Sequence, residues 1–199
     1  MRKTLLSIAL IGLAFSPVTL PQAHAQVNLL AVGSLTSSKN GAYENLSGLH
    51  NTLENGVRAD ELGGFGSGIA YASGNTFLAV PDRGPNVIPF DSAIDDTVSY
   101  INRFHTISLD LQPNTTGTGL PFTLTPTLRK TTLLFSLSPL VYGAGAGLGV
   151  GSGAPPQNTC FKHYFTGRSD NFDPDRNSGD PQDARFDSEG IRVSKVLCD

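Results

Sequence analysis

The chain has no tryptophan, one methionine and two cysteines in 199 residues. Two cysteines exclude a disulfide-dense small scaffold and a four-cysteine zinc module. The lack of Trp, with aromatics at only 8%, argues against a base-stacking surface for single-stranded nucleic acid. There is no basic excess: the formal charge is −3, so nothing marks a nucleic-acid partner. No stretch carries ten or more residues of convincing 3.6-residue periodicity, so long amphipathic helices are not expected. Several catalytic signatures are missing as well. No serine has glycine at both −2 and +2, which removes the hydrolase elbow. None of the four histidines fits H-E-x-x-H, and the glycine-rich Tyr142 to Gly153 contains neither G-x-G-x-x-G nor a following Gly-Lys-Ser/Thr.

The first segment has the layout of an export signal. Arg2 and Lys3 precede an apolar run from Leu5 to Phe15, and Ala23-His24-Ala25 follows as an A-x-A cleavage pattern. That run is about half the length of a membrane span. The expected organisation is therefore a signal peptide over residues 1–25 and one domain over residues 26–199, exported to the periplasm or medium, with no stable membrane anchor after cleavage. In an oxidising compartment Cys160 and Cys198 could pair or stay free; the spacing does not decide between them.

Glycine and proline are plentiful, 22 and 13 residues, and they punctuate short apolar runs. Val27 to Leu35, Gly68 to Ala72, Thr76 to Val80, His105 to Leu111, Phe122 to Leu128 and Thr131 to Leu137 read as strands. Gly74-Asn75 between two of them predicts a tight hairpin. Thr106 to Leu111 alternates polar and apolar residues, as a half-buried strand does. Ala42 to Leu53 and Tyr142 to Gly153 read as loops, and Asp95 to Tyr100 as a possible helical turn. The expected class is all-β, with antiparallel sheets.

The chemistry-bearing residues are unevenly spread. No Asp or Glu occurs between Leu111 and Ser169, whereas carboxylates and arginines alternate densely from Arg168 onward. Asp173, Asp175 and Asn177 stand at alternate positions, the way a calcium loop turns oxygen ligands toward one ion. The EF-hand match is partial: Gly179 is one place late, and Ala184 occupies the position of the bidentate Glu. Two further clusters, Pro81-Asp82-Arg83-Gly84-Pro85-Asn86 and Arg185-Phe186-Asp187-Ser188-Glu189-Gly190-Ile191-Arg192, combine carboxylates with arginines at strand ends. An ion-paired turn would look the same and contribute little. The functional alternative is a carboxylate and arginine rim that holds a metal-bridged phosphoryl group. His50, His105 and His163 are isolated and read as surface or satisfied core histidines.

Gly64-Phe65-Gly66-Ser67-Gly68-Ile69-Ala70, the Pro81–Asn86 turn, Ser99-Tyr100-Ile101-Asn102-Arg103-Phe104, Phe165 to Pro174, and Phe186 to Arg192 together resemble the bacterial phytase-like family, also called esterase-like activity of phytase. The motifs occur in the family's order and span nearly all of residues 26–199. The resemblance implies a β-propeller and a phosphoester or ester hydrolase acting on a small substrate. It implies Asp82, Arg83, Asp187, Glu189 and Arg192 as catalytic residues, and Arg83, Arg185 and Arg192 as substrate contacts. Asp173, Asp175, Asn177, Asp187 and Glu189 become candidate ligands for Ca²⁺. Two departures stand out. Ser188 occupies a position where the family usually has Pro, and the family continues beyond Asp199. Residues 26–199 suffice for about four blades of roughly 40–45 residues, so the expectation is an incomplete, truncated propeller. A non-catalytic exported binding module and an inactive fragment are the alternatives.

Overall fold

The computed structural model describes residues 27–35, 44–53, 56–85, 97–142, 154–167 and 181–194. The expected signal segment, the Asp173, Asp175 and Asn177 loop, the glycine-rich stretch after Tyr142, and Cys198 lie outside them. Four strands build the main sheet: β1 (Phe65–Ser73), β2 (Thr76–Pro81), β3 (Arg103–Pro113) and β4 (Phe122–Leu133), antiparallel and in that spatial order. β5 (Phe135–Ser136) and β6 (His163–Tyr164) form a second, two-stranded sheet. Among the described residues helix is almost absent, and none is long and apolar enough to cross a membrane.

The hairpin forms where the sequence predicts it. Ser73 pairs with Thr76 across Gly74-Asn75, and Gly74 has φ +54°. That is the left-handed first position of both hairpin turns favoured by strand twist. Asn75 then donates its side-chain amide to Asp110, tying the turn to β3.

Alternation places two neighbouring rows of side chains on one face of the sheet, the first of them apolar. Tyr71, Phe77, Ile107 and Leu128 align across all four strands, and Ile69, Ala79, His105 and Thr131 form the neighbouring row. A buried cluster of Leu62, Ala79, Ile107 and Leu128 lies on this face, with Leu35, Phe77 and Leu109 packed against it. Burying side chains such as Ile107 and Leu128 contributes about 1.5–3 kcal/mol each. The opposite face is polar along Thr76, Ser108 and Thr127.

Three sequence expectations change here. Val27 to Leu35 is not a strand. It is an irregular strap whose Leu30 O accepts a hydrogen bond from Phe122 N at 3.1 Å. A regular ladder beside β4 is disfavoured because Pro126 has no N–H to donate. Phe122 to Leu128 and Thr131 to Leu137 are not separate strands: β4 runs through to Leu133, with the extra residue Arg129 absorbed as a bulge between Leu128 and Lys130. The bulge aims Arg129 Nε at Ser108 Oγ, 2.9 Å away. Pro126 is tolerated because β4 is an edge strand. Finally, residues 97–100 do not form the helical turn that Asp95 to Tyr100 suggested.

His105 is a satisfied core histidine. Its Nδ1 lies 3.0 Å from Thr131 Oγ1 and its Nε2 3.3 Å from the Leu62 carbonyl. Burial, then the Arg103 charge, push its pKa down to about 4. The unfolded chain takes up this proton near pH 6.5, before the folded one does. Stability is therefore complete above that pH and falls as pH drops from 6.5 toward 4, by up to about 3 kcal/mol. Urea midpoints measured from pH 7 to pH 4.5 should fall more steeply in the wild type than in His105→Gln. Parallel slopes would mean that His105 is not buried and neutral.

Candidate functional site

The site arises where the end of β2 meets a second set of pairings. Ile101 bridges Thr166, which bridges Arg185 in turn. Gly167 N donates to Tyr100 O at 3.1 Å, and Phe186 N to Thr166 O at 3.1 Å. These contacts carry residues 186–191 back to β1 and β2. There, a Cβ on Gly68 would lie 2.9 Å from Gly190 Cα and 3.1 Å from Ile191 N, so only glycine admits the crossing segment that closely. Ser188, buried, donates its hydroxyl to Pro81 O at 2.9 Å. That bond fixes Asp187 and Glu189 next to Asp82.

The turn at Asp82-Arg83-Gly84 is held from two sides. Gly84 has φ +118°, and a Cβ there would lie 2.5 Å from the Tyr100 ring. Tyr100 is fully buried and donates its hydroxyl to Glu61 O at 2.8 Å. On the other side Gly167 packs directly against the Arg83 backbone. The Arg83 N–H donates to Asp82 Oδ1 at 2.6 Å, closing the turn locally.

Carboxylate oxygens of Asp82, Asp187 and Glu189 all lie within 4.8 Å of one another. Arg83 Nε stands 3.5 Å from Asp187 Oδ2 and 3.9 Å from Asp82 Oδ1. Partial burial pushes the Asp187 pKa up to about 6, helped by the hydrogen bond and charge of Asp82 and opposed by Arg83 and Arg185. Two acids this close resist joint ionisation. Three oxygen donors with one cation on the flank suit a hard divalent ion better than zinc or copper, which favour nitrogen and sulfur ligands.

Sequence clusters that lie far apart in the chain thus converge in part. Asp82, Arg83, Asp187 and Glu189 come together, and Arg185 is close enough for its charge to act on Asp187. Arg192 does not join them by any described ion pair: it is exposed, and its Nη1 donates to the adjacent Ile191 carbonyl at 2.8 Å. Asp82, expected as a catalytic residue, stands among the candidate ion ligands. Asp173, Asp175 and Asn177 lie outside the described residues. Tyr100, Gly167 and Ser188 shape the site without having been singled out for it, although Ser188 was visible as the departure from Pro between the two acids. Cys160 is exposed, His50 is a solvent-facing partner of Asp60 at 3.3 Å, and His163 sits half-buried in β6.

Asp187→Asn should raise stability at pH 7. The folded-state pKa of Asp187 exceeds its unfolded value of 3.8, so its ionised form opposes folding above pH 6. That penalty fades as pH falls from 6 to 3.8. The stabilisation should therefore be present at pH 7 and absent near pH 4, as read from urea midpoints. A variant less stable than wild type at pH 7 would show that the Arg83 contact outweighs the acid pair. No family model matches the chain, and no curated protein or solved structure matches it either.

Proposed function

We propose that the chain is an exported, phytase-like hydrolase of small phosphoesters or esters, with Asp82, Asp187 and Glu189 as the ligands of a hard divalent cation such as Ca²⁺. The observation that carries this reading is the meeting of those three carboxylates beside Arg83. The A-x-A leader supports export. The four-strand antiparallel meander has the connectivity of one propeller blade, which supports the propeller architecture.

In this reading Asp82, Asp187 and Glu189 would hold the cation, which would supply charge stabilisation at a phosphoryl or acyl oxygen and make a water more acidic. The remaining work belongs to the chain. Arg83 and Arg185 attract and orient the substrate anion. Ser188 and Gly167 keep the two carboxylate-bearing segments at fixed spacing, which preserves the geometry of the ligand set. Asp187 holds a proton at its carboxyl below about pH 6, so cation binding weakens as the medium is acidified through that range.

Hydrolysis of p-nitrophenyl phosphate and p-nitrophenyl acetate, with and without a chelator, tests the proposal. Activity on one of them should need calcium and fall on the order of 100-fold in Glu189→Gln. Calcium binding without turnover of either would favour an exported binding module instead. Turnover indifferent to chelator and to Glu189→Gln would refute the cation site.

A further inference from the structure

A cavity of about 290 Å³ lies on the opposite face of β1 from the acidic segment, between the sheet and the strap. Adjacent strand residues point to opposite faces: Gly68 meets Gly190 and Ile191, whereas Ile69 lines the cavity. Ile107, Leu109 and Leu124 form its floor, Leu62 and Pro126 its sides, and Gly33 to Leu35 its roof.

We propose that this cavity is a binding site for a small uncharged apolar molecule, such as one substituted aromatic ring or a short alkyl chain. Size sets the first limit. An apolar cavity of about 150 Å³ accommodates benzene, and ligand pockets begin near 300 Å³. The observed volume lies between a bare ring and a drug-sized molecule. The strap cannot sink to fill it. Leu30 O is bonded to Phe122 N, and a Cβ on Gly33 would already lie 2.6 Å from Leu124 O and 2.8 Å from Pro126 Cδ. The roof therefore touches β4 at Gly33 and packs on the core again at Leu35.

Charge sets the second limit. Among the described residues no titratable side chain lines the cavity, and Ser34 supplies a side-chain hydroxyl. Arg103 and His105, the basic groups described on the same sheet face, are buried and bonded to Ala59 O, Ile101 O, Thr131 and Leu62 O. A charged ligand would lose its hydration with nothing to replace it. The mouth is open at Ile69, which is 53% exposed, so an apolar ligand can enter without unfolding the strap.

Methyl-resolved NMR of the full chain, titrated with toluene, 1-hexanol and hexanoate, tests the site. Toluene and 1-hexanol should give saturable shifts confined to Leu35, Ile69, Leu109 and Leu124, with hexanoate at least about tenfold weaker. Ile69→Trp, at the mouth, and Ser34→Phe, in the roof, should each block binding without lowering the melting temperature. Shifts that never saturate, equal binding of hexanoate, or unchanged binding in both folded variants would overturn the proposal.

Discussion

Gly167→Ala is expected to unfold the region around the acidic site, at a cost of more than about 3 kcal/mol. The added methyl would overlap the Arg83 carbonyl, with its carbon 2.6 Å and Cα 2.8 Å from the new Cβ. Both partners are backbone, so no side-chain rotation relieves the clash. Neither segment can retreat easily. Gly167 is bonded through its N–H to Tyr100 O, and Thr166 is bridged to both Ile101 and Arg185. On the far side of the turn, Gly84 presses against the Tyr100 ring. Gly190→Ala is the control, since a Cβ there meets nothing within 4 Å. Urea unfolding should show a large loss for Gly167→Ala and a small change for Gly190→Ala. Equal midpoints for the two variants would mean that Gly167 does not touch the Asp82-Arg83 turn.

Arg103→Ala should cost a further several kcal/mol by a different route. Arg103 is fully buried at the start of β3 and has no carboxylate ion pair among the described residues. Its guanidinium lies 3.6 Å from the centre of the Tyr100 ring and donates to Ile101 O and Ala59 O at 2.8 and 2.9 Å. Burial pushes its pKa down to about 10, yet it remains charged at neutral pH. Truncation to alanine leaves a cavity and two unsatisfied carbonyls, together about 3–5 kcal/mol. Arg103→Met fills the space and removes the cost of a buried charge, so its loss should be clearly smaller. A methionine variant as unstable as the alanine variant would place the energy in the hydrogen bonds and ring contact rather than in packing.

The sequence revealed those parts of the fold that depend on local chemistry. The Gly74-Asn75 hairpin and the alternation of Thr106 to Leu111 follow from turn preference and pleat, and both needed only neighbouring residues. Arg103 on the buried face was not legible, because its partners are carbonyls and a ring from other segments. The continuity of β4 was hidden by the Arg129 bulge, which breaks the simple alternation. For the site, residue type was informative and position was not. Asp82, Asp187, Glu189 and Arg83 stood out as carboxylate and arginine clusters, but their meeting depends on Gly167, Tyr100 and Ser188. Those act through shape and backbone bonding, which a single sequence does not display. Arg192 matched the same pattern and still faces solvent.

Asp82, Asp187 and Glu189 should bind a cation in the folded chain. Thermal unfolding followed by circular dichroism, with and without millimolar calcium, tests that directly for the wild type and Glu189→Gln. Selective binding to the folded state stabilises it by mass action, about 2.7 kcal/mol at 100 times the dissociation constant. A single transition that moves up with calcium in the wild type, and not in Glu189→Gln, is the expected result. Transitions that ignore calcium in both proteins would contradict it.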